Sequence, residues 1–192
     1  MQLTRESIIT ASLDIADTYG LADMTMRRVA RQLGVAPGAL YWHFPSKQAL
    51  IAAIGRAICA PVLDDAATVA GATWTETTVA TCSRLRNALL DHRDGAEIVS
   101  AALSDPDLRN RLTAVFSAAL GAGGDLSPVL REAGAVTLLH FIMGETLHEQ
   151  SVAALRIAEG ADPSATSTTT GETTFRRGVA LVLKGLGAPR DI

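Results

Sequence analysis

The residues whose types most clearly suggest a chemical role are basic side chains within positions 24–50. This segment carries four basic residues and no acidic one, whereas residues 51–192 carry 12 basic and 16 acidic residues, and the net charge of the chain is −3. Lysine and arginine bind DNA phosphates, and arginine also recognises guanine through paired hydrogen bonds. A small basic surface on an acidic chain indicates a DNA-binding domain, although a solvated helix face has the same charge pattern. The four basic residues are Arg27, Arg28, Arg31 and Lys47.

The spacing of apolar residues in the same segment predicts two short helices joined by a tight turn. Thr25 is suited to cap the first helix, and Gly34 is suited to end it in a left-handed conformation. Pro37 fits the first turn of the second helix, which we expect over residues 36–43. This pattern indicates a helix-turn-helix, whose second helix enters the major groove of DNA. The apolar stripe of the first helix is Met26, Val29, Ala30 and Leu33.

The second of these helices offers few hydrogen-bonding groups, so the expected DNA contacts are shared with neighbouring residues. Arg27, Tyr41 and His43 supply the polar groups. Lys47, at the start of the following helix, is placed to bind phosphate. The small residues of the helix supply shape and apolar contact, for example with a thymine methyl group. The predicted DNA-binding residues are Thr25, Arg27, Arg28, Pro37, Gly38, Ala39, Tyr41, Trp42, His43 and Lys47.

No other pattern in the sequence indicates catalysis or metal binding. Residues 92–94 together with Ser83 or Ser104 contain the residue types of a hydrolase triad, but no nucleophile elbow or oxyanion-hole glycines accompany them. His140 and His148 lie about 12 Å apart along one helix, which is too far for both to bind one ion. We therefore predict no enzymatic activity, no metal ion and no cofactor.

The elements that must position these residues are all predicted to be helices. Hydrophobic residues make up 48 % of the chain and charged residues 19 %, which provides enough apolar material for a core. The sequence lacks the alternation of apolar and polar residues that marks strands. We expect an all-α fold, with an N-terminal three-helix helix-turn-helix domain and a larger C-terminal helical domain. The predicted helices span residues 5–19, 26–33, 36–43, 47–60, 74–92, 106–120, 128–157 and 175–186.

The predicted domain boundaries follow changes in composition. Residues 1–46 form the helix-turn-helix domain, residues 47–60 a connecting helix, and residues 61–192 the C-terminal domain. Within the last, the low-complexity stretch 162–174 is expected to be a mobile loop. The sequence has no signal peptide or membrane-spanning stretch, and its two cysteines lie outside any CxxC motif. We therefore expect a cytoplasmic protein with no membrane partner.

Residues 8–50 resemble the DNA-binding domain of the tetracycline-repressor family of bacterial one-component regulators. The resemblance implies an all-α homodimer with two N-terminal DNA-binding heads and a body that dimerises and binds a small molecule. The apolar helix predicted at 175–186 exceeds what one small domain buries, which also favours a four-helix interface between two subunits. The residues that carry the resemblance are Ile8, Ala11, Gly20, Thr25, Ala30, Gly34, Val35, Gly38, Leu40, Tyr41, His43, Phe44, Lys47 and Leu50.

The resemblance extends into the body, towards the subclass of this family that binds tetracycline as a magnesium chelate. The positions that hold the chelate in that subclass fall here on Leu63, Thr81, Val99 and Leu103. His148 stands at the position of a carboxylate from the second subunit. Leucine and valine supply no ligand for a metal ion. These departures argue against tetracycline or any metal chelate as the ligand.

The body is expected instead to bind a mostly apolar, drug-sized organic molecule that His140 and Thr81 would orient. An ordinary apolar core is the alternative interpretation of these residues. The predicted function is a ligand-responsive repressor that binds a palindromic operator as a homodimer and is released by the ligand. A helical carrier or enzyme with a purely structural N-terminal bundle is the alternative, and it would not need Arg27 and Tyr41 exposed. The predicted ligand-binding residues are Leu63, Thr81, Leu85, Val99, Leu103, Leu112, Val115, Phe116, Leu139 and His140.

Overall fold

The structure, a computed structural model, describes residues 3–64, 73–122, 126–160 and 168–187, with residues 168–170 described by their backbone alone. Every regular element within these ranges is helical, which confirms the predicted all-α fold. A short 3-10 turn, Leu21–Asp23, lies between the first two α-helices. The α-helices are α1 (Arg5–Tyr19), α2 (Met26–Leu33), α3 (Pro37–Tyr41), α4 (Lys47–Leu63), α5 (Trp74–Leu90), α6 (Gly95–Ala102), α7 (Pro106–Gly121), α8 (Pro128–Ala158) and α9 (Thr168–Leu186).

Local capping interactions explain why several helices begin and end where the sequence predicted. The Thr4 side chain accepts a hydrogen bond from the Ser7 amide, and the Ser7 hydroxyl accepts one from the Thr4 amide, which forms a capping box at α1. Thr25 and Ser127 cap α2 and α8 by accepting hydrogen bonds from backbone amides of the first turn. Gly34 ends α2 with φ 68° and ψ 29°, the predicted left-handed conformation.

The boundaries of α3 and α4 differ from the prediction. α3 ends at Tyr41, and the amides of His43 and Phe44 both donate to the carbonyl of Leu40. α4 continues through Pro61 to Leu63 instead of ending at residue 60. Pro61 lies in the last turn of α4, where the missing amide removes one hydrogen bond and leaves the rest of the helix intact. The carbonyl of Pro61 accepts a hydrogen bond from the Arg84 guanidinium.

α9 begins seven residues earlier than the sequence predicted. Residues 168–174 are helical, so the mobile loop expected over 162–174 is wrong for this part, and residues 162–167 lie outside the described residues. This part of α9 passes close to α8, because a Cβ atom at Gly171 would lie 2.4 Å from the Glu149 carboxylate. The sequence composition of the stretch is that of a loop, but its backbone is helical.

Contacts within the chain define two compact units. The N-terminal unit comprises Met1–Ala60 together with Ala88–Arg109. Its α1, α2 and α3 pack on one another, and α6 lies against α4, because a Cβ atom at Gly55 would come within 2.3 Å of the Ala102 Cβ. The buried residues at the centre of the three-helix part include Ile8, Ile15, Val29, Ala30, Leu40 and Phe44.

The C-terminal unit comprises Pro61–Asn87 and Asn110–Ile192. Its main contact is between α8 and α9, where the rings of Phe141 and Phe175 stack with 5.8 Å between their centroids. Gly178 makes this stacking possible, because a Cβ atom there would lie 2.1 Å from the Phe141 ring. The domain boundaries inferred from composition stay a prediction. The buried residues of this unit include Cys82, Leu85, Leu112, Phe116, Leu138, Leu139, Ile142 and Val179.

Candidate functional site

The turn between α2 and α3 has the geometry of a helix-turn-helix. The Gly34 amide donates to the Arg31 carbonyl at 3.2 Å, and the Val35 amide donates to the Ala30 carbonyl at 3.0 Å. Ala30 and Leu40 are both fully buried where the two helices meet. The small side chain of Ala30 lets the helices approach, so α3 is held rigidly on α2 with its outer side exposed.

The last residue of α3 and the residue after it present the aromatic side chains that the sequence assigned to DNA. The Trp42 side chain is 91 % exposed and Tyr41 is 50 % exposed, whereas Phe44 is fully buried. Pro37 and Gly38 are exposed, and Ala39 and His43 are half-buried. Two aromatic side chains are thus exposed next to each other, Tyr41 in the last position of α3 and Trp42 directly after it. A carrier or enzyme with a purely structural N-terminal bundle would not need an exposed Tyr41, so this exposure favours DNA binding over that alternative.

The basic residues of α2 surround a cleft of about 350 Å³ in the N-terminal unit. Arg27 and Arg31 are exposed, and Lys47 is exposed at the start of α4. Arg28 is held within the protein: it forms an ion pair with Asp23 at 2.7 Å, and its guanidinium lies 3.7 Å from the centroid of the Tyr19 ring. The residues that line the cleft are Ala22, Asp23, Thr25, Arg27, Arg28 and Arg31.

One residue that supports this surface was missed by the sequence analysis. The Arg5 guanidinium donates a hydrogen bond to the His43 carbonyl and lies 4.2 Å from the centroid of the Phe44 ring. Arg5, in the first turn of α1, therefore holds the segment that follows α3. Arg5 and His43 are 38 positions apart, and no spacing rule in a single sequence pairs residues at that separation.

The segment between α5 and α6 also supports the N-terminal unit. Asp17 near the end of α1 accepts a hydrogen bond from the Arg93 amide at 3.0 Å and lies 3.0 Å from Nδ1 of His92. Arg93 in turn donates to the Thr18 carbonyl at 3.0 Å. The three residues considered for a hydrolase triad, 92–94, thus make structural contacts with α1 and the turn that follows it. No local pattern in the sequence indicates these long-range pairs.

The ten predicted ligand-binding residues are divided between the two units. Val99 is buried and Leu103 half-buried in the N-terminal unit, and the other eight belong to the C-terminal unit. Leu63 and Val115 are half-buried. Among the eight predicted residues of the C-terminal unit, the fully or nearly fully buried ones are Thr81, Leu85, Leu112, Phe116 and Leu139.

The predicted inward orientation of His140 is wrong. His140 is exposed on α8, while its neighbour Leu139 is buried. The buried stripe of α8 follows Leu138, Leu139 and Ile142, so a residue one position after Leu139 points about 100° away from that stripe. Thr81 is buried as expected, and its hydroxyl donates to the Thr77 carbonyl at 2.9 Å.

The described residues contain no cluster of three or more His, Cys, Asp or Glu side chains that could hold a metal ion. Cys59 and Cys82 are buried free thiols, and burial raises the pKa of each to about 12. Such thiols are not nucleophiles at neutral pH. Among the described helices, none has the length and hydropathy needed to cross a membrane.

Comparison with known proteins places this architecture in a family. Residues 8–54 match the model of bacterial regulatory proteins of the tetR family. The class C tetracycline repressor protein of Escherichia coli is 30 % identical over 216 aligned positions, which cover 96 % of this chain and 91 % of that protein. The chain belongs to the TetR family. TetR-family regulators bind double-stranded DNA operators, respond to small ligands and act as dimers.

Two solved structures resemble this TetR-family chain along nearly its whole length. BioQ of Mycobacterium smegmatis has a TM-score of 0.80 and 37 % identity, covering 96 % of this chain and 98 % of that one. BioQ with its natural double-stranded DNA operator has a TM-score of 0.75 and 34 % identity, covering 98 % of this chain and 100 % of that one. The TetR fold is therefore shared throughout, including the helix-turn-helix part.

Proposed function

We propose that this TetR-family chain is a repressor that binds a palindromic operator as a homodimer and is released by a mostly apolar organic ligand. The observation that carries the proposal is a pair of exposed aromatic side chains, Tyr41 at the end of α3 and Trp42 directly after it, in the same unit as the basic cleft of α2. An aromatic and basic surface on a rigid helix-turn-helix suits the major groove. The likeness to BioQ, whose structure with its operator is known, supports the same kind of partner here.

Within this surface, we assign different roles to the exposed residues. Arg27 is proposed to recognise a base, because it is exposed and not drawn into the Asp23 and Tyr19 contacts that hold Arg28. Lys47 is proposed to bind phosphate from the first turn of α4. The remaining proposed contacts come from Thr25, Arg28, Pro37, Gly38, Ala39, Tyr41, Trp42 and His43.

The proposed dimer would use the exposed apolar residues of α8 and α9. Leu181 on α9 is 71 % exposed, and Leu147 and Leu155 are exposed on α8. Gly144 and Gly185 have open space where a Cβ atom would stand, so each leaves a shallow place for a side chain of a second copy. Exposed apolar residues interleaved with small ones on two adjacent helices are typical of a four-helix interface.

The proposed ligand is drug-sized and bound without magnesium. The walls of the ligand-binding site would be formed by buried apolar residues of the C-terminal unit, namely Leu85, Leu112, Phe116 and Leu139. The class C tetracycline repressor is named for tetracycline, but a magnesium chelate needs oxygen or nitrogen ligands that these side chains do not supply. Leu63, Thr81 and Val115 are the further proposed contacts in this unit. Val99 and Leu103, in the N-terminal unit, stay predictions from the sequence.

The decisive experiment is an electrophoretic shift of the DNA upstream of the chain's own coding region. We expect a discrete complex at nanomolar protein that unrelated DNA does not displace. Leu181→Glu should give a monomer in analytical ultracentrifugation and lose the shift, whereas Ala114→Glu, on an exposed position of α7, should keep both. A carrier or enzyme with a structural N-terminal bundle would give no shift with any fragment.

A further inference from the structure

Arg31 is a basic residue of α2 that is absent from the DNA contacts predicted from the sequence. It lies in the last turn of the helix, and its side chain is exposed. Together with Arg27 and Arg28 it lines the basic cleft of about 350 Å³ in the N-terminal unit. The other lining residues belong to the 3-10 turn and to the N-cap of α2, and they are Ala22, Asp23 and Thr25.

This cleft carries an excess of positive charge. Three arginines line it, and Asp23 is the acidic residue among its lining residues. The Asp23 carboxylate forms an ion pair with Arg28 at 2.7 Å, so the charges of these two residues balance. Within the part of the chain that the structure describes, the side chains of Arg27 and Arg31 form no hydrogen bond and no ion pair. The cleft therefore has two uncompensated positive charges, which attract an anion.

The chemistry of the lining residues suits a phosphate group. Arg27 and Arg31 are four residues apart on one side of α2, and like charges at this spacing repel each other until an anion lies between or beside them. A guanidinium binds phosphate through two parallel hydrogen bonds. The Thr25 hydroxyl accepts the capping bond from the Arg28 amide, and its own hydrogen has no acceptor among the described residues. It can therefore donate to a phosphate oxygen.

The position of α2 in the helix-turn-helix indicates where such a phosphate comes from. In this motif the first helix crosses the DNA backbone while the second enters the major groove. Arg31 lies one helical turn after Arg27, about 6 Å further along the helix axis. A base edge and a backbone phosphate can therefore be bound at the same time by two different arginines of α2.

We propose that Arg31 and the Thr25 hydroxyl bind a phosphate of the operator backbone in this cleft, beside the base that Arg27 recognises. This inference rests on the proposed function, in which the N-terminal unit binds an operator. The Arg28–Asp23 ion pair forms one wall of the cleft. A backbone contact strengthens binding to every DNA sequence and fixes the register of the protein on the duplex, but it does not distinguish bases.

Fluorescence anisotropy tests this role with the DNA upstream of the chain's own coding region and with a random duplex of equal length. Arg31→Gln should weaken binding of both duplexes about 8-fold at 0.1 M salt for each phosphate contact that is lost. The slope of log K against log salt should decrease by about 0.9 per contact, hence by about 1.8 in a dimer. Arg31→Lys keeps the charge and should keep the slope. Arg111→Gln, on an exposed position of α7, is the matched control for net charge and should change neither quantity.

Thermal unfolding separates this role from a structural one. A cation in the last turn of a helix interacts favourably with the helix dipole, and Arg31 has this position in α2. That stabilisation and the repulsion from Arg27 are of similar size and opposite sign, so Arg31→Gln should keep the wild-type melting temperature while it lowers DNA affinity. A lower melting temperature with an unchanged salt slope would make Arg31 a structural residue and overturn the inference. A change of base preference in Arg31→Gln would also overturn it.

A free phosphate ion has the same chemistry as a backbone phosphate, and calorimetry distinguishes the two. Inorganic phosphate titrated into the DNA-free chain should show no saturable binding at millimolar concentration, because salt screens the charges of exposed side chains. Saturable binding that Arg31→Gln abolishes would make a free ion the ligand and overturn the inference. A wild-type chain that binds neither duplex would contradict the proposed function as well, whereas equal salt slopes for wild type and Arg31→Gln would contradict this inference alone.

Discussion

The carboxylate of Asp94 accepts a hydrogen bond from the backbone amide of Leu21, with 2.9 Å between Oδ2 and N. Asp94 precedes α6 in a left-handed conformation with φ 57°, and its side chain makes no capping bond to α6 itself. The Asp94 side chain thus stabilises the turn after α1 and does not cap α6. We expect Asp94→Ala to lower the free energy of unfolding by about 1–3 kcal/mol, because the Leu21 amide would have no acceptor.

Two further variants separate the hydrogen bond from the backbone strain at position 94. Asp94→Asn keeps an acceptor and tolerates the left-handed region, so it should unfold at nearly the wild-type urea concentration. Asp94→Gly relieves the strain but lacks the acceptor, so its stability should fall between those of the Asn and Ala variants. An Ala variant with the wild-type urea midpoint would show that this bond contributes nothing.

The contact between Arg56 and Asp105 makes stability depend on pH. The hydrogen bond from Arg56, followed by that from the Asp107 amide, holds the pKa of the Asp105 carboxyl below its ordinary value. A lowered folded-state pKa stabilises the protein above the unfolded pKa, and this contribution disappears as the pH falls through the folded value. The stability difference between wild type and Asp105→Asn should therefore be constant near neutral pH and shrink below about pH 4.

A double-mutant cycle assigns this effect to the pair. Arg56→Ala should remove most of the pH-dependent difference, so that Asp105→Asn has little further effect in the Arg56→Ala background. Urea denaturation at several pH values measures all four proteins. A difference that persists unchanged in acid would show that Asp105 contributes through packing and not through its charge.

The sequence predicted those features that depend on residues close together in the chain. Thr25 caps α2 and Gly34 ends it, and both follow from the preferences of single residues within one helix turn. The buried Leu40 and exposed Tyr41 on α3 follow from the same short-range periodicity. The helix-turn-helix surface is therefore the part of the molecule for which sequence and structure agree most closely.

The residues missed by the sequence analysis belong to long-range pairs or to faces with two possible partners. Arg86 and Glu149 are 63 positions apart, and nothing local to either indicates the other. His140 illustrates the second case, since α8 carries apolar residues on most sides and its periodicity does not tell which side faces its own chain. His140 lies on the side that includes exposed Leu147, which we assign to a second copy.

Gly178 on α9 is predicted to be essential for packing against α8. The Phe141 ring lies 2.1 Å from the position of an alanine Cβ and is stacked on Phe175, so it has little room to move. Gly178→Ala should lower stability by about 1–3 kcal/mol, the usual cost of overpacking a core. Gly38→Ala on α3 is the matched control, because open space surrounds its Cβ position, and it should not destabilise the chain. Equal melting temperatures for the two variants would contradict the close packing described.

Arg27 and Lys47 are predicted to contribute to operator binding in different ways. Arg27→Ala should relax sequence preference at one symmetric position of each half-site by about 1–3 kcal/mol, as expected when a bidentate pair with guanine is removed. Lys47→Ala should weaken binding to operator and random DNA alike. It should also reduce the slope of log K against log salt by about 0.9 for each phosphate that is no longer bound. Titrations with a set of singly substituted operators at three salt concentrations measure both effects.

Two different results would contradict the roles proposed for Arg27 and Lys47. Uniform weakening by Arg27→Ala across all operator variants would make Arg27 a backbone contact, whereas a change of base preference in Lys47→Ala would bring Lys47 to a base edge. Both side chains are exposed in the N-terminal unit, so neither substitution disturbs buried packing. Urea midpoints equal to that of the wild type are therefore expected for both variants, and any decrease in affinity then reports on DNA binding alone.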